Sequence, residues 1–438
     1  MTEPPNSLPA LPDRGAVFWP VGTGDSTTVV IDDDTVLQVD LHDMDKADDD
    51  SNPEVPVVDR LVEGLPIRDG RPYLAVFALT HADEDHCLGF ADLLDQVHIG
   101  ELWSTPRLWR EYNDPDVEDP CKDAIAFREE SERRIGATRT ALAAGTDPIS
   151  GDRILVIGHD DESDDYPYDD LPDPFKSGPG KAVTSLDGED CSGRFEAFFH
   201  APFNDDCAAP RNETSLAMQI TLTHPSGTDG TLLLFGDLSH DTIMKIFDYS
   251  EYHDRSHYLA WDLLLAPHHC SKRVMYVPDE QGADAFKQDV MSAFERHGRD
   301  GAAVVSSSAV IPTSDTPGAN PPHRKAADRY MEITETFVCT MQWGGEQQPS
   351  PVVFGVDANG AGIVPLATAE KASLTAVGKA LQPAPSRMAA VAAAAVRLAE
   401  SLPRAPADQQ RGPDRVRQAV QTDRGDEEAP DAPVGFGR

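Results

Sequence analysis

The chain has 438 residues, enough for one large or two ordinary domains with a sizeable core. Its 76 acidic residues against 37 basic ones leave a formal net charge of −39, and such a surface repels nucleic acid unless a basic patch or a bound metal offsets it locally. No apolar run approaches bilayer length, no basic region followed by an apolar run opens the chain, and the six cysteines form neither a CxxC pair nor a disulfide framework, so the expectation is a cytoplasmic protein with reduced thiols and no membrane association.

Residues 1–13 are Pro-rich and read as a disordered N-terminus. Ala16 to Val21 is a first strand, and Gly22-Thr23-Gly24-Asp25-Ser26 is a tight turn whose glycines let the backbone approach something closely. No GKS or GKT follows it and the next element is a strand, which excludes a nucleotide P-loop. Thr27 to Ile31 and Thr35 to Leu41 read as a hairpin turning at Asp32-Asp33-Asp34, with its second arm ending on Asp40-Leu41-His42-Asp43. An acidic loop over 43–56 and a short helix from Val57 to Leu65 lead to Pro72 to Leu79, an apolar run bounded by polar residues and therefore a buried strand. Four potential metal ligands follow within six residues: His81, Asp83, Asp85 and His86. They sit on a loop at the C-terminal end of a strand, where sites of α/β folds commonly lie, and imidazole with carboxylate suits zinc or manganese. A solvated acidic turn with two incidental histidines is the bland alternative, and the rest of the chain argues against it. Gly89 to Leu94 begins a helix, Gly100 to Ser104 is a short strand, residues 106–145 look mainly helical, and Ile154 to Ile157 is a strand. Residues 158–192 are rich in Asp, Pro and Gly and read as a long surface loop or disordered stretch, so that about 106–192 forms an acidic insertion.

A second strand-rich half begins at Phe195. Asn212 to Leu222 is a loop feeding a strand. Thr231 to Phe235 ends on Gly236-Asp237-Leu238-Ser239-His240, and Asp262 to Pro267 ends on His268-His269-Cys270-Ser271. Ala302 to Ser307 leads into a loop through Asn320-Pro321-Pro322-His323, followed by a helix from Arg324 to Ile333 and a strand from Thr336 to Gln342. Three strands of this half thus end on polar candidate site residues. The tail, residues 366–438, holds an Ala-rich helical stretch from Ser386 to Leu402 and then polar, disorder-prone sequence.

The loop His81-x-Asp83-x-Asp85-His86 resembles the signature of the metallo-β-lactamase superfamily, usually HxHxDH, with Asp in place of the second His in some branches. Val21-Gly22-Thr23-Gly24-Asp25-Ser26, Asn212-Glu213-Thr214-Ser215-Leu216, Pro267-His268-His269-Cys270-Ser271 and Asn320-Pro321-Pro322-His323 resemble stretches of the soluble domain of ComEC-type competence proteins. The resemblance covers roughly 14–104 and 195–345; the channel domain of those proteins is absent, so DNA uptake is not implied. It implies an α/β, four-layer αββα sandwich over 14–365. It also implies up to two divalent ions, zinc or manganese, with His81 and Asp83 on one, Asp85, His86 and His268 on the other, and Asp237 bridging. His269 remains the alternative to His268, and Cys270 is either a soft ligand or a packed thiol.

Around those ligands, Asn212 is a weak oxygen ligand or a donor to substrate, and His323 a general acid or an electrophilic partner to a phosphoryl oxygen. Asp25 orients a water or a ligand histidine and Asp40 supports a ligand, or both cap turns. His42, His98, His200 and His240 read as ordinary histidines. Asp85, His323, Asn212 and Asp25 are thus the catalytic candidates for a metallo-hydrolase with a metal-bound hydroxide nucleophile. An anionic phosphodiester substrate, and so a nuclease, is favoured by the hard ligands and by Lys272-Arg273 and Arg324-Lys325, which directly follow two motif loops. A small ester, thioester or lactam hydrolase is the alternative. A third reading is a module with a silent metal site that binds a protein partner through its acidic insertion or tail.

Overall fold

The computed structural model describes residues 11–48, 52–112, 120–158, 166–203 and 211–366. The Pro-rich start up to residue 10 and the tail from 367, with its Ala-rich stretch, lie outside the described residues. Two sheets lie face to face. In the first, the strands run in the order Gly360–Ile363, Val352–Asp357, Gly15–Phe18, Thr27–Asp32, Thr35–Val39, Arg71–Ala78, His98–Ser104, Arg153–Ile157 and Lys176–Ser177, with Ile67–Arg68 pairing on the side. In the second the order is Thr336–Cys339, Gly298–Ser306, Trp261–Leu265, Asp229–Leu234, Ala217–Thr223, Phe195–Ala201 and Ala182–Val183.

Each sheet joins an antiparallel part to a parallel one, and the parallel strands carry the chemistry. Thr35–Val39, Arg71–Ala78, His98–Ser104 and Arg153–Ile157 run parallel in the first sheet; Asp229–Leu234, Trp261–Leu265, Gly298–Ser306 and Thr336–Cys339 do so in the second. Parallel strands need helical crossovers and are covered on both faces, which is why Tyr73 to Ala78 reads as an unbroken apolar run. Tyr73 and Ala75 face the core between the sheets, together with Phe199, Ile220 and Leu232 of the second sheet. Leu74 and Phe77 face an outer core under the helices Val57–Gly64, Phe90–Gln96 and Lys122–Ala143. A third core packs Ile243, Phe247, Phe294 and Tyr330 of the helices His240–Tyr252, Gln288–His297 and Arg324–Ile333 onto the second sheet. The result is helix, sheet, sheet, helix: the four-layer α/β arrangement expected from the sequence.

The helix expected within 106–145 and the strand expected at Ile154 to Ile157 are present, and both are built into the layers of the first sheet. Lys122–Ala143 is a 22-residue helix that buries Ala124, Phe127 and Ile135 beneath the first sheet, and Arg153–Ile157 is an interior strand of that sheet. The buried Arg134 obscured the pattern: its guanidinium donates to the carbonyls of Ile99 (2.9 Å), Gly100 (3.0 Å) and Arg153 (3.1 Å), so a charged residue stands where periodicity looks for an apolar one. Beyond 166, Tyr168, Leu171 and Phe175 are buried as well, so this stretch is packed rather than loose.

Phe127 meets Phe77 and Phe90 at ring-centroid distances of 5.9 and 5.0 Å. Phe127→Ala is expected to cost about 3–5 kcal/mol of stability, read as a lower urea midpoint at unchanged slope. A variant as stable as the parent would show that this segment is a dispensable insertion after all.

Candidate metal centre

The parallel strands of both sheets end at one rim, and that rim gathers the polar residues. Thr35–Val39 ends on Asp40, Arg71–Ala78 leads to Thr80 and His81, Asp229–Leu234 leads to Asp237, and Trp261–Leu265 leads to His268 and His269. Asp83 stands at the N-cap of the short helix Glu84–Cys87, which carries Asp85 and His86.

Asp237, 3% exposed, is the centre of the cluster. Its Oδ1 lies 3.3 Å from His86 Nε2 and 3.4 Å from His269 Nε2. Its Oδ2 lies 3.5 Å from His268 Nε2 and 3.9 Å from His81 Nε2, and accepts a hydrogen bond of 3.2 Å from Asn212 Nδ2. Asp83 Oδ2 is 3.3 Å from His81 Nε2, and Asp85 Oδ2 is 3.3 Å from His269 Nε2. One half of the cluster is therefore His81, Asp83 and His268; the other is Asp85, His86 and His269; Asp237 offers one oxygen to each.

The second half differs from the sequence expectation, which put His268 with Asp85 and His86. Three consecutive residues are left-handed: His268 (φ 51°), His269 (φ 53°) and Cys270 (φ 64°). This turn sends two adjacent imidazoles to the two oxygens of one carboxylate, so both histidines belong to the cluster and His269 takes the place assigned to His268. Strand-end order alone carries no sign of such a turn, which costs roughly 1–2 kcal/mol per residue. Cys270 turns away into the helix-side core of the second sheet, as a packed thiol.

Several buried groups hold the rings. Asp40 Oδ2 lies 2.8 Å from His86 Nδ1, and the same carboxylate accepts from the Thr80 amide and hydroxyl, each at 2.7 Å. That leaves His86 Nε2 facing Asp237. His81 Nδ1 lies 3.1 Å from Thr80 Oγ1 and 3.2 Å from Ser215 Oγ. His269 Nδ1 lies 3.1 Å from the Ser307 carbonyl and 3.6 Å from Asp25 Oδ1. Asp25 is placed by its amide, which donates to the Asp85 carbonyl at 3.0 Å. A Cβ on the preceding Gly24 would stand 2.4 Å from His42 Nδ1 and 2.8 Å from the Asp85 carbonyl oxygen, so the glycine is what allows this approach. Thr80, Ser215 and Ser307 were missed from sequence because a hydroxyl beside a histidine is too common a pattern to single out.

The remaining candidates lie further out. His323 caps the helix Arg324–Ile333; its amide donates to the Cys270 carbonyl at 3.1 Å, and its Nδ1 accepts from the Lys272 amide at 3.3 Å. Burial lowers its pKa, so the ring is neutral with its proton on Nε2. Arg211 pairs with Asp83 at the mouth of the first half. Three cations of the expected basic rim are offset, since Lys272 and Lys325 each place Nζ 2.6 Å from Asp284 Oδ2 and Arg324 pairs with Asp328, while the charge of Arg273 acts on His268. Arg133, Arg134 and Arg139 pair with Glu130, Asp152 and Asp170 on the far helix. His42 donates from Nδ1 to the Val21 carbonyl at 3.0 Å, and burial pushes its pKa down to about 4.

The cluster fits divalent cations. His81 Nε2, Asp25 Oδ1 and Asp237 Oδ1 are buried without a hydrogen-bond partner, although buried polar atoms nearly always have one. Asp25, His86, Asp237 and His269 offer ligand atoms that all lie within 4.8 Å of one another. His86 Nε2 and His269 Nε2 point at each other across 3.2 Å, a contact that needs a cation between them or a proton on one. Burial alone would lower both histidines, but Asp237, Asp40 and Asp85 around His86, and Asp237, Asp25 and Asp85 around His269, hold their pKa values well above the usual range. Burial alone would raise Asp83 as well; His81 and then Arg211 bring it down to about 2. Nitrogen and carboxylate donors without thiolate match zinc or manganese.

No family model and no curated protein matches the chain. Among solved structures it is similar to the metallo-beta-lactamase MIM-1 from Novosphingobium pentaromativorans, with 17% identity and a TM-score of 0.29 over 59% of this chain and 76% of that one. It is also similar to the metallo-beta-lactamase SMB-1, with 14% identity and a TM-score of 0.28 over 60% and 81%. A third is ST1585, an archaeal metallo-beta-lactamase superfamily protein from Sulfolobus tokodaii, with 9% identity and a TM-score of 0.27 over 74% and 97%. Likeness at this level assigns no residue a role.

Two outcomes follow from the cluster's own chemistry. With raised pKa values, the facing pair His86 and His269 shares a proton across the 3.2 Å Nε2–Nε2 contact when no metal is bound, and a cation must displace it. Metal affinity therefore falls as pH falls, and calorimetric titration with Zn²⁺ at pH 7 in buffers of different ionisation enthalpy should report release of about one proton. A buffer-independent heat would contradict this. Asp40→Asn keeps a side chain that tolerates the left-handed backbone at this position (φ 55°) but loses the negative charge beside His86. It should weaken zinc binding about 10–100-fold in chelator competition; parent-like affinity would remove Asp40 from the centre.

Proposed function

We propose that the protein is a metal-dependent hydrolase of metallo-β-lactamase type that acts on phosphodiesters, as a nuclease or related phosphodiesterase. One observation carries the reading: the Asp237 carboxylate, buried between two half-sites of histidine and carboxylate, with one oxygen toward each. Two divalent ions held there by His81, Asp83 and His268, and by Asp85, His86 and His269, would supply Lewis acidity and a water acidified toward neutral pH.

The chain's own residues bind and steer. Arg211, beside Asp83, is a cation at the mouth. Asn212 Nδ2 donates to Asp237 Oδ2 and would offer a neutral hydrogen-bond donor to a substrate beside the two half-sites. Asp85, one-third exposed, is the ligand most open to the solvent side, where a proton leaves. His323, neutral and protonated on Nε2, is a hydrogen-bond donor for a developing oxyanion rather than a cationic acid. Asp40 positions His86, and Asp25 lies against His269 and offers a carboxylate oxygen to the same half-site. The carboxylate-rich donor set and the resemblance of the Gly22–Ser26, Asn212–Leu216 and Pro267–Ser271 stretches to ComEC-type domains support the phosphodiester. Free thiols at the five described cysteines fit a reducing cytoplasm.

The competing substrate class has an observation of its own. Asp284 offsets both Lys272 and Lys325, and the chain carries a charge of −39, which suits a small neutral ester, thioester or lactam. Metal content and hydrolysis of bis-p-nitrophenyl phosphate, single-stranded DNA, a lactam and a thioester decide between them, with wild type beside Asp85→Ala. About two metal equivalents and diester turnover that falls at least about 100-fold in the variant are expected. Turnover of the lactam or thioester alone would move the function to that class, and a chain that binds no divalent metal would end the proposal.

A further inference from the structure

Next to the ligand turn lies a pair of thiols that metal binding does not use. Cys87 directly follows His86 and closes the helix Glu84–Cys87; Cys121 caps the N-terminus of the helix Lys122–Ala143. Their sulfurs are 3.5 Å apart. Cys87 is fully buried and its thiol also reaches the Asp83 carbonyl at 3.2 Å, whereas Cys121 is partly exposed. The two come from segments 34 residues apart, and the contact lies against the residues that hold the proposed metal.

We propose that Cys87 and Cys121 are a reversible, peroxide-responsive dithiol that ties the metal-ligand turn to the long helix when oxidised. Cys121 is the attacking sulfur because it is the one a solute can reach. Its Sγ accepts a hydrogen bond from the Ala124 amide (3.4 Å) and lies 3.5 Å from the Cys87 sulfur. The Cys87 contact and then the helix amides outweigh burial and bring its pKa down to about 6. The Cys121 thiolate attacks one oxygen of hydrogen peroxide, the O–O bond breaks, and the departing hydroxide takes a proton to leave as water; Cys121 becomes a sulfenic acid. The Cys87 sulfur then attacks that sulfur, the S–S bond forms as the S–O bond breaks, and the leaving hydroxide takes the Cys87 proton. The sum is two thiols and one peroxide giving one disulfide and two waters. A small thiol reverses it by exchange.

Bonding requires the sulfurs to close from 3.5 Å to about 2.05 Å. Cys87 gives up its contact with the Asp83 carbonyl, and the turn bearing Asp85 and His86 is drawn toward the long helix. Oxidation therefore loosens the half-site of Asp85, His86 and His269. The crosslink stands on sulfur geometry alone; its effect on metal rests on the reading given under Proposed function.

The test uses the full chain loaded with Zn²⁺, treated with equimolar hydrogen peroxide or left reduced, then alkylated and digested without reductant. The expected product is one peptide pair joining Cys87 to Cys121, two hydrogens lighter than the free peptides, lost on adding dithiothreitol and not formed by Cys121→Ser. Zinc transfer to a chromophoric chelator should be about tenfold faster from the oxidised chain than from the reduced one, with peroxide making no difference in Cys121→Ser. Recovery of Cys121 as sulfinic acid beside an alkylated Cys87, or its crosslinking to another cysteine, overturns the proposal. A correct crosslink with unchanged zinc release overturns the coupling to the centre. A reduced chain that holds no zinc defeats the metal reading instead, and the peptide map still decides the crosslink.

Discussion

A single carboxylate joins the two halves of the protein electrostatically. Asp237 is carried by the second sheet, yet it faces His81 and His86 of the first sheet as well as His268 and His269 of its own. Leaving one partner of such a buried set uncompensated costs about 3–5 kcal/mol, so each of these side chains constrains where the others stand. Burial opposes its charge, but His269 and then His86 outweigh that and hold the carboxyl ionised, well below the usual range. The apolar core between the sheets sets their distance; the Asp237 contacts set how their rims meet.

Much of this arrangement was legible in the chain. An apolar run such as Tyr73 to Ala78, flanked by helical stretches, announces a parallel strand covered on both faces, and polar residues placed just after several such runs announce a shared rim. His81, Asp83, Asp85, His86 and Asp237 meet there because strand ends of two stacked sheets meet there. What was not legible depends on backbone conformation or on partners distant in sequence. The left-handed turn that brings in His269 has neither glycine nor asparagine to announce it, since it runs through His268, His269 and Cys270. Arg134 broke the apolar periodicity of a helix whose packing it helps to secure. Lys272 and Lys325 looked like an exposed basic rim until Asp284, on a hairpin with no motif of its own, stood between them.

Charge is distributed with a purpose the total conceals. Asp25, Asp40, Asp83, Asp85 and Asp237 converge on one rim, where a low-dielectric wall sharpens their field and draws cations in. Arg211 on Asp83, the Asp284-linked lysines and Arg273 near His268 set positive charge beside this acidic rim.

The order in which the ligands occur along the chain has a consequence for biosynthesis. The motif from His81 to His86 leaves the ribosome before Asp237, His268 and His269 exist, by on the order of ten seconds at ordinary elongation rates. The first sheet is also incomplete for longer still, because its strand Gly15–Phe18 pairs with Val352–Asp357 near the end of the described chain. During that interval the nascent protein exposes imidazoles and carboxylates that have no Asp237 to gather around, alongside an open strand edge. A metal captured then would sit on half a site, so correct loading has to wait for, or survive, the arrival of the second sheet.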